Sequence, residues 1–381
     1  MRIIFTSIFG AGHFNPLVPY ALEMQRRGHE VRVAAPLELA DKIKSLGLIH
    51  VPVGRPTEEE KKVFFAKTDH LPPTERTPYL IGGLFVGLLP SAAYPDLKTF
   101  ADDFQPDLIV REAGEYSGAL AAEVLGIPHA RVSVSNGHSM KMAFIPFDAL
   151  RQENGLLPDN GASLRYARAF SAFPASMEPA DADGADLPQY RVASSVAPTS
   201  AVTPDWVSKE GYPGVYITFG TVMGSSDEAK AIFRAVLDAV ATMDVNVLMT
   251  TGPSMDVDAL GQIPKNVILK DYVPQNDVFP HVSAVICHGG SGSVLGALAA
   301  GLPLLVTPIG ADQPDNARAV EMTGAGLAVD TPDAGTIAAA LKSILEEPAY
   351  SNAAADMATE IAAHNSIEAA VTEMLSVVGH N

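Results

Sequence analysis

Short apolar runs alternate with longer stretches whose apolar residues recur every three or four positions, and this pattern runs through both halves of the chain. Arg2 to Ser7 reads as a buried strand, Pro16 to Arg27 as an amphipathic helix and Val31 to Ala35 as the next strand. The alternation resumes with a strand at Asp107 to Val110, a helix around Tyr116 to Leu125 and a strand at His129 to Val134. In the second half strands are predicted at Val215 to Phe219, Asn246 to Thr250, Val267 to Leu269, Ala284 to Cys287 and Leu304 to Val306. Helices are predicted at about Asp227 to Ala241, Ser291 to Ala300 and Asp315 to Thr323, and the stretch Ala353 to Val378 is helical by period. Strands separated by helices imply parallel sheets covered on both faces, so the fold class is α/β with two doubly wound, Rossmann-like domains.

The pattern lapses between the halves. Ala172 to Pro213 is rich in Pro, Ala, Ser and Asp without a sustained period. This predicts a first domain over residues 1–196, a linker over 197–214 and a second domain over 215–381. Trp206, the sole tryptophan, is expected to pin the linker to the second domain. A chain of 381 residues also exceeds the size at which one core keeps growing.

Composition narrows the function classes. Apolar residues at 47% and charged residues at 18% describe an ordinary globular chain. A formal charge of −18 argues against non-specific nucleic-acid binding, which requires a basic face. The lone cysteine, Cys287, precludes an internal disulfide and sits inside an apolar run, as a packed thiol would. The opening Met1-Arg-Ile-Ile-Phe-Thr-Ser-Ile8 lacks the marks of a targeting segment, and the longest apolar stretch, Tyr79 to Pro90, falls short of the ~20 residues of a membrane span. The expectation is a cytoplasmic protein with no membrane span. The sequence is silent on oligomeric state, and a homodimer is compatible with it.

The chemistry concentrates in Val285-Ile-Cys-His-Gly-Gly-Ser-Gly-Ser293. An apolar strand ends in His288, a glycine turn follows, and a small-residue helix begins at once. The first amides of a helix lack internal partners and carry the positive end of its dipole, so this is a cradle for a diphosphate. Downstream, Asp312 and Gln313 follow another strand and could hold sugar hydroxyls, or simply start the helix at Pro314.

This segment resembles the donor-binding signature of the GT-B nucleotide-sugar glycosyltransferases, the UDP-glycosyltransferase family of plants and bacteria. Four further matches occur in order. Thr218-Phe-Gly-Thr221 is similar to the loop near the phosphates, Tyr272-Val-Pro-Gln275 to the base-binding turn and Gly310-Ala-Asp-Gln-Pro-Asp-Asn316 to the sugar loop. Gly12-His-Phe-Asn-Pro16, followed by Arg27-Gly-His-Glu-Val31, is similar to the acceptor-side opening. The resemblance implies two Rossmann-like domains facing across a cleft, with part of the terminal helical stretch packed back on the first. It implies an enzyme that binds an aglycone on the first domain and a nucleotide sugar on the second.

The resemblance also assigns roles. His13 matches the general base, and Glu112 in Pro106-Asp-Leu-Ile-Val-Arg-Glu112 stands where the family has its partner aspartate, with Glu115 next in line. Donor contacts are implied for Gly220, Thr221, Val273, Gln275, His288, Gly290, Ser291, Gly292, Ser293, Asp312 and Gln313. The leaving diphosphate would be held by His288, by the amides and hydroxyls of Ser291 to Ser293, and by the loop at Gly220. No metal and no cofactor are expected beyond the co-substrate. Asp181-Ala-Asp183 and Asp256-Val-Asp258 superficially resemble a metal motif but read as solvated loops. Acceptor contacts are sought among Phe64, Phe85, Met140, Met142 and Phe144, near Phe65, Tyr79 and Phe147, where ordinary packing is the rival reading. Glu23, His29 and Glu30 read as helix surface and turn.

One departure bears on the donor. Plant members carry a ribose-binding glutamate eight residues after the phosphate histidine, where this chain has Gly296. Losing that acceptor weakens the preference for a 2′-hydroxyl and points to a dTDP-linked deoxysugar. The expectation is an inverting, metal-independent transferase acting on a hydrophobic natural-product aglycone. The alternatives are a UDP-sugar transferase or epimerase, or an inactive GT-B binding or activator protein. A dinucleotide-dependent oxidoreductase is rejected, because Gly10-Ala-Gly12 lacks its third glycine, where Asn15 stands, and no acidic residue closes the second strand.

Overall fold

The computed structural model describes residues 1–68, 70–136, 140–178, 189–194, 211–220, 227–252 and 255–379. Contacts divide the chain into two compact units. The first comprises Met1–Ser171, Ala180–Val192 and Asn365–Asn381, the second Ala172–Pro179 and Ala193–His364. The chain therefore passes between units more than once. Residues 197–210 of that linker, Trp206 among them, lie outside the described residues.

Among the described residues the first unit holds seven parallel strands: β1 (Arg2–Thr6), β2 (Glu30–Ala35), β3 (His50–Pro52), β4 (Leu108–Glu112), β5 (His129–Val132), β6 (Arg168–Ser171) and β7 (Gln189–Arg191). Their order is β3-β2-β1-β4-β5-β6-β7. Ile3, Ile4 and Phe5 of β1 and every residue of β4 are buried, as strands covered on both faces must be. The second unit holds six among its described residues: β8 (Gly214–Thr218), β9 (Asn246–Thr250), β10 (Val267–Lys270), β11 (Ala284–Cys287), β12 (Leu304–Val306) and β13 (Gly326–Ala328), in the order β10-β9-β8-β11-β12-β13. This is the doubly wound order in which the chain reverses direction between the first and fourth strands. The reversal falls between β1 and β4 in the first unit and between β8 and β11 in the second. Ligands of such sheets gather at the carboxyl ends of those strand pairs.

The terminal stretch is two helices, Pro348–Ala362 and Ile367–Ser376, broken at Ala363 to Ser366. The last belongs to the first unit, with Ala370, Val371 and Met374 buried in its core. Arg27 clamps it, donating to the Glu368 carbonyl (2.5 Å) and the Thr372 hydroxyl (2.9 Å), while its Nε holds Glu23. Glu23 is thus buried between Arg26 and Arg27, not on the open helix surface. Ala172–Pro179, expected in the first domain, packs with the second unit. Phe173 and Met177 enter its core, and Ser176 donates to Glu360 at 2.6 Å.

Residues Thr74–Phe104 form one helical run of 31 residues, long and apolar enough by length and composition to cross a membrane. The sequence pattern offered only Tyr79 to Pro90, because the helix continues past proline and paired glycines. Its middle, Leu80–Leu88, is a π-helix. Gly83 permits it to approach Phe64, since a Cβ there would lie 2.6 Å from the Phe64 ring. Leu84, Val86, Leu89, Leu97 and Ala101 of this run are buried in the first unit's cores.

Candidate active site

β1 ends at Thr6, and Gly10, with φ of 98°, turns the chain into a four-residue helix, Ala11–Phe14. A residue with a Cβ rarely adopts that φ, so Gly10 sets where His13 emerges. His13 therefore lies in a helical turn that starts earlier than the pattern suggested. On the neighbouring strand, β4 ends at Glu112, whose side chain is fully buried while His13 is 30% exposed. Glu112 Oε1 lies 3.1 Å from His13 Nδ1. Its Oε2 accepts the Gly114 amide at 2.6 Å. The Gly114 amide thus fixes Oε2, and Oε1 is left facing the buried Nδ1 edge of the partly exposed imidazole at ion-pair distance.

Gly114 packs beside this pair: a Cβ there would make ordinary contacts, 3.4 Å from Glu112 Oε2 and 3.5 Å from both His13 Cε1 and Phe85 Cδ1. The rings of Phe85 and His13 are 6.2 Å apart. Glu115 is turned to a different task. It accepts from the Thr6 hydroxyl (2.5 Å), the Gly118 amide (2.9 Å) and the Ser117 hydroxyl, starting the helix Ser117–Leu125, and burial raises its pKa. It bounds a cavity of about 20 Å³, roughly one water, together with Thr6, Ser7, Ile8 and Phe85.

The other aromatic candidates disperse. Phe64 stacks on Tyr79 at 4.7 Å and is buried with Leu84 and Leu89, and Phe147 is a core residue. Phe144 packs against Gly161, Phe65 is exposed, and Met142 lies exposed on the turn Met140–Ala143. The Met140 side chain is outside the described residues. Of these, Phe85 alone is seen beside His13.

The second unit gathers the donor candidates at the ends of β8 and β11. The His288 imidazole lies between two glycines: a Cβ at Gly220 would meet it at 3.0 Å, and one at Gly290 at 2.4 Å. Burial lowers its pKa, against the opposing effects of the Thr218 backbone and Asp312, so the ring is neutral at pH 7. Gly290 caps the helix Ser291–Ala299, and its carbonyl accepts from the amides of Ser293 and Val294. The amides of Ser291 and Gly292 precede the first of these bonds and point from the helix start. A Cβ on Gly292 would meet nothing within 4 Å, so this edge is open.

The hydroxyl of Ser291 is engaged within the protein. It donates to Asp312 Oδ2 at 2.8 Å and receives the Asn316 amide at 3.1 Å. Asn316, fully buried, also donates to the Gly289 carbonyl (2.8 Å) and to Asp312 Oδ2 (3.0 Å). Gln313 Oε1 accepts the amides of Ile309 (2.8 Å) and Gly310 (3.0 Å). The Asp312 carboxylate and the Gln313 carbonyl thus shape the loop, and Asn316 ties it to the glycine turn. Asn316 was quoted within the sugar-loop motif but given no role, since only the fold shows three acceptors converging on its amide.

Gln275 reaches across to the same helix, its Nε2 donating to the Gly292 carbonyl at 3.1 Å. It lies over Gly296, where a Cβ would come within 2.6 Å of that nitrogen. Val273 packs partly buried against the second-unit core, while Tyr272 is exposed. Cys287 is buried at the end of β11, its thiol pushed up to about 12 by burial, so it is a packing residue. Asp256 accepts the Asp258 amide and caps a 3-10 turn. No group of three or more His, Cys, Asp or Glu suited to a metal occurs among the described residues. Thr221 and Asp181 to Asp183 lie outside them.

Comparison with known proteins gives this geometry a context. Two models described as erythromycin biosynthesis protein CIII-like match the chain, the N-terminal domain over residues 21–213 and the C-terminal domain over 234–376. An L-demethylnoviosyl transferase of Streptomyces niveus is 32% identical over 90% of this chain and 89% of its own. Among solved structures, the spinosyn rhamnosyltransferase SpnG superposes with a TM-score of 0.84 at 22% identity, covering 98% of this chain and all of that one. The glycosyltransferase VinC, solved in complex with dTDP, superposes with a TM-score of 0.79 at 24% identity over the full length of both. The chain therefore belongs to the erythromycin biosynthesis protein CIII-like family, and is a GT-B glycosyltransferase of the natural-product type.

Proposed function

We propose that this glycosyltransferase is inverting and metal-independent, and that it moves a deoxysugar from a dTDP-sugar onto a hydrophobic natural-product aglycone. The approach of a partly exposed His13 to a fully buried Glu112 at 3.1 Å carries the reading. A proton on Nδ1, facing the carboxylate, leaves Nε2 as the base. Nε2 takes the proton of an acceptor hydroxyl as its oxygen attacks the anomeric carbon. The carbon–oxygen bond to the diphosphate breaks, and its electron pair leaves with the phosphate. One displacement inverts the anomeric centre. The proton ends on His13, whose imidazolium Glu112 stabilises.

The departing diphosphate gains charge as the bond breaks. The amides of Ser291 and Gly292 at the helix start, with neutral His288 as a side-chain donor, suit that charge. These donors are preorganised, which is the support for metal independence. The dTDP preference rests on Gly296 and on the Gln275 amide that fills the space above it, leaving no carboxylate for a ribose 2′-hydroxyl. The dTDP bound to VinC favours the same donor nucleotide, and the 10-deoxymethynolide desosaminyltransferase named for a Streptomyces venezuelae relative favours a natural-product acceptor.

Calorimetric titration with TDP and UDP, each with and without EDTA, tests the donor side. Tight, EDTA-insensitive binding of TDP over UDP is expected. A UDP preference would overturn the donor assignment, and loss of binding with EDTA would overturn metal independence.

A further inference from the structure

Among the described residues Arg111 is the largest fully buried side chain, and the mechanism above does not use it. It lies on β4, one residue before Glu112, facing the opposite side of the sheet. Its partners are neutral. Nη1 reaches the carbonyl oxygens of Glu112 (3.3 Å), Ala113 (3.2 Å) and Glu115 (3.1 Å). Nε donates to His129 Nδ1 at 3.3 Å, and the guanidinium lies 5.6 Å over the Tyr116 ring. Burial among cations depresses His129 to about 3, so it is a neutral acceptor, with the Ser163 backbone as a further hydrogen-bond partner.

The turn of residues 112–115 is thus wrapped around one cation, with three of its carbonyls pointing inward. The amide of Gly114 is then presented on the other side, where it holds Glu112 Oε2. The remaining oxygen of that carboxylate faces His13. A planar fork can serve the carbonyls and His129 at once, whereas a lysine ammonium has a single nitrogen at the end of its chain.

We infer that Arg111 is the positioning residue of the catalytic pair: it sets the 112–115 turn, and through the Gly114 amide it holds Glu112 against His13. This rests on the reading of His13 and Glu112 given above. Arg111 touches neither substrate nor the imidazole. Removing it displaces the carboxylate without deleting it.

The test is a cycle of Arg111→Lys, Glu112→Gln and the double variant, read by NMR titration of the His13 imidazole. Lysine keeps the positive charge that Glu115, His129 and the neighbouring Arg131 experience, so a change at His13 reports a moved carboxylate. Thermal melts and TDP calorimetry confirm that each variant is folded. Glu112→Gln should lower the His13 midpoint by about one pH unit, since an adjacent carboxylate favours the imidazolium. Arg111→Lys should produce at least half of that fall, and should add less than about 0.2 to it in the Glu112→Gln background. A wild-type His13 midpoint in Arg111→Lys, or an equal fall with and without Glu112, overturns the inference and leaves Arg111 a packing residue. If Glu112→Gln itself leaves His13 unmoved, the pairing of His13 with Glu112 fails instead. Should the lysine variant not fold, Arg111→Gln in the same cycle decides, because its direct charge effect cancels in the comparison with and without Glu112.

Discussion

Replacing Asn316 by leucine would test whether the glycine turn and the sugar loop act as one unit. The side chains are similar in volume, so the change removes the two N–H donors that three acceptors share without opening a cavity. Asp312 Oδ2 retains the Ser291 hydroxyl, and Ser291 can reorient. The Gly289 carbonyl is the acceptor that suffers, since Asn316 is its one donor among the described residues. Orphaning a buried carbonyl costs about 1–3 kcal/mol, and the lost bond to Asp312 adds about 1 kcal/mol. Against this, a buried leucine recovers part of the sum, leaving a net loss of about 2–3 kcal/mol. For a unit of this size that corresponds to a fall of about 5–10 °C in Tm. The untied turn must also be reordered on each binding event. If that takes about 1–2 kcal/mol, the Kd for TDP rises about 5–30-fold. Differential scanning calorimetry and TDP titration of the same preparation measure both effects. A Kd within twofold of wild type, in a protein whose Tm has fallen, would refute the coupling of loop to cradle while leaving the packing role of Asn316.

Three further outcomes are expected. Gly220→Ala places a methyl 3.0 Å from the His288 ring at a φ of +74°, which costs about 1–2 kcal/mol, so TDP binding should weaken about tenfold with a lower Tm. Gly292→Ala meets no protein atom, and calorimetry should find weaker TDP binding at an unchanged Tm. Arg26 and Arg27 hold Glu23 down from its ordinary 4.5 to about 2. A depressed carboxylate contributes stability that is present above the unfolded value and lost as pH falls toward the folded one. Melts between pH 5 and 2 should therefore show a shallower acid-side decline in Glu23→Gln than in wild type.

Much of the site was legible because its parts lie in local motifs. Strand, glycine turn and helix start at residues 285–293 are contiguous, and the run ending at Glu112 is a strand whose last residue must reach the sheet edge. The elements that escaped are those whose pattern is too short or too polar to register. β3, β7 and β13 have three residues each, and β6 opens with Arg168, which is paired with Glu373 of the terminal helix. The roles of Asn316 and Arg111 were hidden for another reason. Each is defined by backbone carbonyls that converge only after folding, and no spacing of residue types announces such a convergence. Ser291 shows the converse, since a hydroxyl in a phosphate-like motif is committed to Asp312 once the loop closes on it.

The most direct test of the account is the rate of sugar transfer by His13→Ala. Formation of TDP and glycoside is followed with a dTDP-deoxysugar, dTDP-rhamnose, as donor and a panel of phenolic and polyketide hydroxyl acceptors, with TDP affinity measured on the same protein. The account predicts that wild type transfers to at least one acceptor, and that the variant loses transfer by at least about 10²-fold while its TDP affinity is retained. Transfer by His13→Ala at the wild-type rate would contradict it.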